Sequence, residues 1–344
     1  MPLTTRQLAA NAVGIRNANV SINQRGAELN NSGLDTVTAG IVSDLGFVEE
    51  MDRVRTWLNS WIDSVEPDLK PLLEWQFVEG SKYFRPLTIF GCYRATNGVE
   101  AEIPDRMIRS AAVLEMMHNM TLIVDDILDH SDERRGIPSL HAKFGQLPAL
   151  MASGFIVAEG FDMSAEDPHD IRLFADLVKR LGVAECAQWR LRRQPLGVAD
   201  WEEIAGEDTG SMFETCACLA TRDDSLRKFG RLIGMVYHGC DDVGDVKGLE
   251  GLGGGGEEDL RDGILTLPAS LAIQDRAICD MFCKENPSPA ELEQIKHAMI
   301  KQLPAADAHL DKLAVDAKWQ AQTKTKDPKV LEELVDYTRE LSRR

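Results

Sequence analysis

From Met107 to Ser131 the chain runs 25 residues without a glycine or a proline. A stretch free of both breakers for that long reads as one long helix. The surrounding sequence has the same character. Apolar residues recur at three- and four-residue spacing from Phe47 to Trp75, and further helices are expected over 142–160, 170–194, 200–221, 224–250, 265–285, 289–302 and 328–342. Breaks are expected at Pro148, at Asp167-Pro168, at Pro195, in the run Gly251–Gly256 and at Pro287–Pro289. No window alternates with a period of two, no repeat of solenoid length is present, and no Pro- or Ser-rich linker divides the chain. The expectation is an all-α fold: one antiparallel helical bundle over residues 46–344, behind a polar, flexible extension over 1–45.

That extension holds Arg6, Arg16 and Arg25 and no acid in its first 27 residues, a faint likeness to an organelle import signal. Its Asn-rich run from Asn17 to Asn31 favours a plain polar tail, so a cytoplasmic location is expected, with import into an organelle the lesser alternative. The formal charge is −18. A chain this acidic is no partner for nucleic acid or an anionic membrane, whose phosphates attract Lys and Arg. No apolar run reaches the ~18–20 residues that span a bilayer. Seven dispersed cysteines without a CxxC pair read as reduced thiols.

The long helix ends in Asp125-Asp126-Ile127-Leu128-Asp129, with Asp132 and Arg134-Arg135-Gly136 beyond. Asp125, Asp129 and Asp132 stand at i, i+4 and i+7 and share a helical face, which His118 joins from seven residues upstream. Like charges stacked this way repel unless a cation lies between them. Mg²⁺ suits the place, being a hard ion that binds carboxylates together with substrate phosphates. Asp241-Asp242-Val243-Gly244-Asp245 repeats the pattern more than a hundred residues later. Facing each other across a bundle, the two segments would cage divalent ions around a diphosphate. Gly244 weakens the helix between the second pair.

These segments resemble a known family. Residues 115–139 are similar to the first aspartate-rich motif of the trans-isoprenyl diphosphate synthases. Gly80-Ser81-Lys82-Tyr83-Phe84-Arg85-Pro86 resembles that family's GGKxxRP box. Asp241–Asp245, followed by Asp259-Leu260-Arg261-Asp262-Gly263-Ile264-Leu265-Thr266-Leu267-Pro268, resembles its second motif and trailing DLxxGxxTLP. The resemblance implies a prenyltransferase joining isopentenyl diphosphate to an allylic prenyl diphosphate. It implies three Mg²⁺ ions, held by Asp125, Asp129 and Asp241 with Asp245 in support. It places isopentenyl diphosphate on Lys82, Arg85, His118 and Arg135, and the allylic diphosphate on Arg134, with Thr209 and His238 beside it. It also implies a dimer of like chains, a heteromer being the alternative, and a tunnel whose floor falls among Met117, Met120 and Thr121. Thr121 is too small to close it, so flexible methionines suggest a C15–C20 product.

The chain departs from the family's pattern on the allylic side. Asp208 precedes Thr209 where the family carries a lysine, His238 stands for a glutamine, and a loop lysine is missing within Gly253–Gly256. Arg192 or Lys247 could compensate, and a lysine restored at 208 is expected to tighten the allylic substrate. Two other readings stay open: an atypical member of the scaffold, such as a terpene cyclase or an irregular prenyltransferase, and a weakly active partner subunit.

Overall fold

The breaker-free run folds as one helix, Asp105–Leu128, with Pro104 and Asp129 at its caps. This is seen in the computed structural model, which describes residues 36–77, 82–134, 136–248 and 256–343. Met107, Ala111, Val113, Leu114, Met116 and Met117 are wholly enclosed, and a helix apolar on all sides belongs at the centre of a bundle. Ahead of this helix, α5, lie α1 (Thr36–Asp44), α2 (Val48–Ser64), α3 (Lys70–Gln76) and α4 (Phe84–Asn97). After it a two-residue ladder pairs β1 (Glu133–Arg134) antiparallel to β2 (Ile137–Pro138). The chain continues through α6 (Leu140–Phe144), α7 (Gln146–Met163), α8 (Pro168–Leu191), α9 (Val198–Glu207), α10 (Thr209–Thr221) and α11 (Arg227–Lys247). It closes with α12 (Gly256–Asp262), α13 (Leu267–Ala272), α14 (Arg276–Phe282), α15 (Pro289–Lys324) and α16 (Lys329–Glu340). The fold is all-α. No described helix is long and apolar enough to cross a membrane.

Four expectations need correction. Thr36–Asp44, inside the span assigned to the tail, is already helical, because Ile41, Val42 and Leu45 pack into the core. The run 200–221 breaks at Asp208, whose ψ of −101° ends α9 and starts α10. The run 265–285 breaks at Ile273–Asp275, where the Asp275 carboxylate caps α14 by accepting from the amides of Ala277 and Ile278. The helix expected to stop near residue 302 runs on to Lys324 through Pro304. An internal proline costs about 3 kcal/mol. Here it lies on the exposed side, while Ala306, Leu310, Leu313, Ala317 and Ala321 extend the buried stripe begun by Ile295 and Met299. Residues 1–35, Gly80, Ser81, Arg135 and Gly251–Gly255 lie outside the described residues.

Glycines set the approach of α10 to α11. A Cβ on Gly234 would lie 2.7 Å from the Gly210 Cα and 2.9 Å from the Thr209 carbonyl oxygen. One on Gly230 would lie 2.8 Å from the Glu214 Cα. The two backbones touch, and this contact fixes Thr209 against the turn of α11 that leads to Asp241. A helical glycine in open space gains up to ~1 kcal/mol when replaced by alanine. Gly234→Ala is instead expected to cost about 1–3 kcal/mol, since the obstructing atoms are main chain. Denaturant unfolding reads the sign: a midpoint equal to or above wild type would show that the helices can part.

Candidate active site

Asp125 occupies the last turn of α5, and Asp129 caps it, its amide donating to the Asp125 carbonyl at 2.8 Å. The helix ends there, so Asp132 leaves the shared face and lies exposed, contrary to the i+7 expectation. Asp126 points away from its neighbour. It is buried, and its Oδ1 accepts from the Arg134 guanidinium at 2.7 Å. Arg134 is thereby tied to the motif's own turn. His118 lies half-buried two turns upstream, its carbonyl accepting from the Thr121 hydroxyl at 2.8 Å. Met117 is fully enclosed, and its Cε lies 2.6 Å from where a Gly160 Cβ would stand on α7. Met120 is only partly buried.

The second motif divides its labour in the same way. Asp242 is buried and anchors α11, accepting from Trp201 Nε1 on α9 and from the Leu267 amide at the head of α13, each at 2.8 Å. Asp241, one residue earlier, keeps its Oδ1 buried without a hydrogen-bond partner. Gly244 lies inside an unbroken helix.

The carboxylates that remain crowd together. Burial, with Asp245 nearby, pushes Asp241 up to about 7, against the pull of Lys82. Burial lifts Asp125 well above the carboxylate range, helped by Glu185 on α8 and by Asp208. Glu185 is pushed to about 7 by burial and by Asp208 and Asp129. Asp259 on α12 is pushed to about 8 by burial and by Asp242, Asp245 and Asp129. These mutual influences link Asp125, Asp129, Glu185, Asp208, Asp245 and Asp259 electrostatically, with Asp241 joined through Asp245. Carboxylates that repel one another, with the Asp241 Oδ1 buried and unmet, are a donor set that fits hard divalent cations. Among the described residues the three-ligand group within 4.8 Å is a different one, Asp167, His169 and Asp170. It caps α8, and Asp167 is already paired with Arg222 at 2.7 and 2.9 Å. Glu185 escaped sequence reasoning because a lone acid in an amphipathic helix carries no motif.

The cations separate clearly. Lys82 acts on Asp241. Arg85 lies over the Phe213 ring at 5.8 Å and acts on Asp208. Lys247 is spent elsewhere, donating to the Ser342 carbonyl at 2.8 Å and lying 3.5 Å from Asp307. Arg192, just past the end of α8, reaches the site and donates to Asp129 at 3.0 Å.

The two unusual residues meet. His238 Nδ1 lies 3.4 Å from Asp208 Oδ2 and 2.9 Å from the Thr209 hydroxyl, and Nε2 lies 3.8 Å from Asp242. Burial opposes a charge on His238, yet Asp242 and Asp208 raise it to about 9. Burial likewise opposes the charge on Asp208, yet His238 and Thr209 hold it below the usual range. A lysine at 208 would take from His238 one of the two carboxylates that chiefly hold its charge.

A family model described as polyprenyl synthetase matches residues 66–299. The chain is similar to geranylgeranyl pyrophosphate synthase 4 of Arabidopsis thaliana, 27% identical over 245 residues, or 63% of this chain. It spans 65% of that relative's length, just under two thirds. Among solved structures it resembles a decaprenyl diphosphate synthase from Rhodobacter capsulatus, with a TM-score of 0.77, 20% identity, and 89% of this chain and 100% of that one covered. It also resembles a polyprenyl synthase from Caulobacter crescentus complexed with calcium and isoprenyl diphosphate, with a TM-score of 0.76, 24% identity, and 89% and 98% covered. At these identities the structures establish the shared fold.

The His238 charge is stabilising below its ordinary value of 6.5, and that contribution is lost as pH rises through about 9. Asp208→Asn is expected to lower the His238 pKa and to cost about 1–3 kcal/mol at pH 6, a gap that closes above pH 9. Proton resonance titration of His238 and melting across this range check it. A wild-type value at or below 6.5 would show that the pair is not ionised.

Proposed function

The chain belongs to the polyprenyl synthetase family, and we propose that it is a Mg²⁺-dependent prenyltransferase joining isopentenyl diphosphate to an allylic prenyl diphosphate. The observation that carries this reading is the crowd of half-buried carboxylates from α5 and α11, with Lys82 and Arg85 within their reach. Asp125, Asp129 and Asp241 would hold Mg²⁺, with Asp245 in support. Once bound, the metal neutralises the diphosphate that leaves the allylic carbon.

The chain's own groups do the rest. Arg85 offers a planar fork and Lys82 a point charge to the second diphosphate, with His118 from α5 and Arg135, which lies outside the described residues. A cyclase, with no second diphosphate to hold, would have no use for this set. The Thr209 hydroxyl, fixed by His238, would serve the allylic diphosphate. Arg134, held by Asp126, keeps the turn beyond the first motif in place. Leu147, Leu150 and Met151 stand exposed on α7, apolar surface suited to a second copy of the chain.

Product length is the finer part of the proposal. Relatives' names run from geranylgeranyl to decaprenyl, so membership sets no length and this chain's own tunnel must. Met117 is committed to packing on Gly160. Met120, about 7.5 Å along the helix axis from Asp125 at ~1.5 Å per residue, is left as the floor for a C15–C20 product.

Two experiments bear on this. Asp241→Ala, or chelation with EDTA, is expected to lower turnover with Mg²⁺, isopentenyl diphosphate and C5–C15 allylic diphosphates by on the order of 10²-fold or more; product formation near wild type would sink the metal reading. Met120→Ala is expected to lengthen products by at least one C5 unit in chromatographic analysis, and an unchanged distribution from a folded, active variant would remove Met120 from the role.

A further inference from the structure

Arg192 is the C-cap of α8, where φ −53° and ψ 139° take the chain out of the helix. The next residue fixes the exit. Arg193 holds a left-handed φ of +56°, its amide donates to the Gly263 carbonyl at 2.9 Å, and its guanidinium donates to the Phe282 carbonyl at 3.4 Å. A non-glycine residue in that region carries strain of order 1 kcal/mol or more, held here by the segment that follows the second aspartate motif. The consequence is directional: with Arg193 clamped outward, Arg192 is aimed into the site.

Its side chain is only 15% exposed. The guanidinium stacks on Trp189 at 4.2 Å and spends one hydrogen bond, at 3.0 Å, on Asp129. Asp262 is too far, at 3.9 Å, to accept another. Nε is buried and has no hydrogen-bond partner. A structural ion pair would satisfy such a donor, because leaving one buried and unmet costs about 1–3 kcal/mol. A fixed guanidinium with spare N–H groups suits a multi-oxygen anion. The Asp208–His238 pair, meanwhile, carries no net charge where a lysine would have supplied one.

We propose that Arg192 is a substrate-binding residue for the allylic diphosphate, replacing from α8 the positive charge absent at position 208. Asp129 is its resting partner and, being one of the carboxylates assigned to Mg²⁺, gives it up when the site is loaded. The proposal rests on the prenyltransferase reading and deepens it.

The test is calorimetric titration of the full chain with geranyl thiolodiphosphate in Mg²⁺, alongside separate KM measurements for the two substrates. Arg192→Gln is expected to weaken the thiolodiphosphate by about 10- to 100-fold and to raise the allylic KM while leaving that for isopentenyl diphosphate within about two-fold. Arg192→Lys, which keeps the charge and loses the fork, is expected to recover part of the affinity and guards against a Gln variant that folds poorly. Binding by Arg192→Gln within two-fold of wild type, or an effect confined to isopentenyl diphosphate, overturns the inference alone. A wild-type protein that does not bind the thiolodiphosphate overturns the prenyltransferase reading along with it.

Discussion

Electrostatic repulsion inside a low-dielectric space is the condition that everything else in this molecule answers to. Asp125, Glu185, Asp241 and Asp259 are each held above their ordinary pKa, burial being the first cause and neighbouring carboxylates the next. Left to themselves such groups would move apart. They are kept together by the main-chain seam of α10 on α11 at Gly210, Gly230 and Gly234, by the enclosed apolar length of α5, and by the ion pairs of Arg231 with Glu207 and Glu214. The site is assembled against its own preference, as expected where a binding site is built at the cost of stability.

Within each aspartate pair one member is diverted to hold the frame. Asp126 grips Arg134, and Asp242 ties α11 to Trp201 and to the start of α13. Sequence spacing put Asp125 and Asp129 one turn apart at the end of a helix, and Asp259, which feels both Asp129 and Asp245, couples the first motif to the second. The spacing could not show that the adjacent Asp126 and Asp242 turn about 100° away into structural bonds, because the letters are identical and only the tertiary surroundings differ.

The same limit explains the other surprises. Lys247 and Arg192 were equal candidates on the chain, and what separates them is the position of Ser342 and Asp307 for one and Asp129 for the other. The all-α fold was legible because breakers and apolar spacing act locally. The passage of α15 through Pro304 was not, because a buried stripe continuing on the far side outweighs a local rule.

The bond between Asp208 and His238 also ties the charge of one position to that of the other. Without the histidine's charge, the half-buried carboxylate keeps the Thr209 hydroxyl and the pull of Arg85. Without the aspartate, the histidine loses one of the two carboxylates that chiefly hold its proton, and an ammonium at 208 would favour the neutral ring further. A change at either position is thus felt as a change of charge at the other.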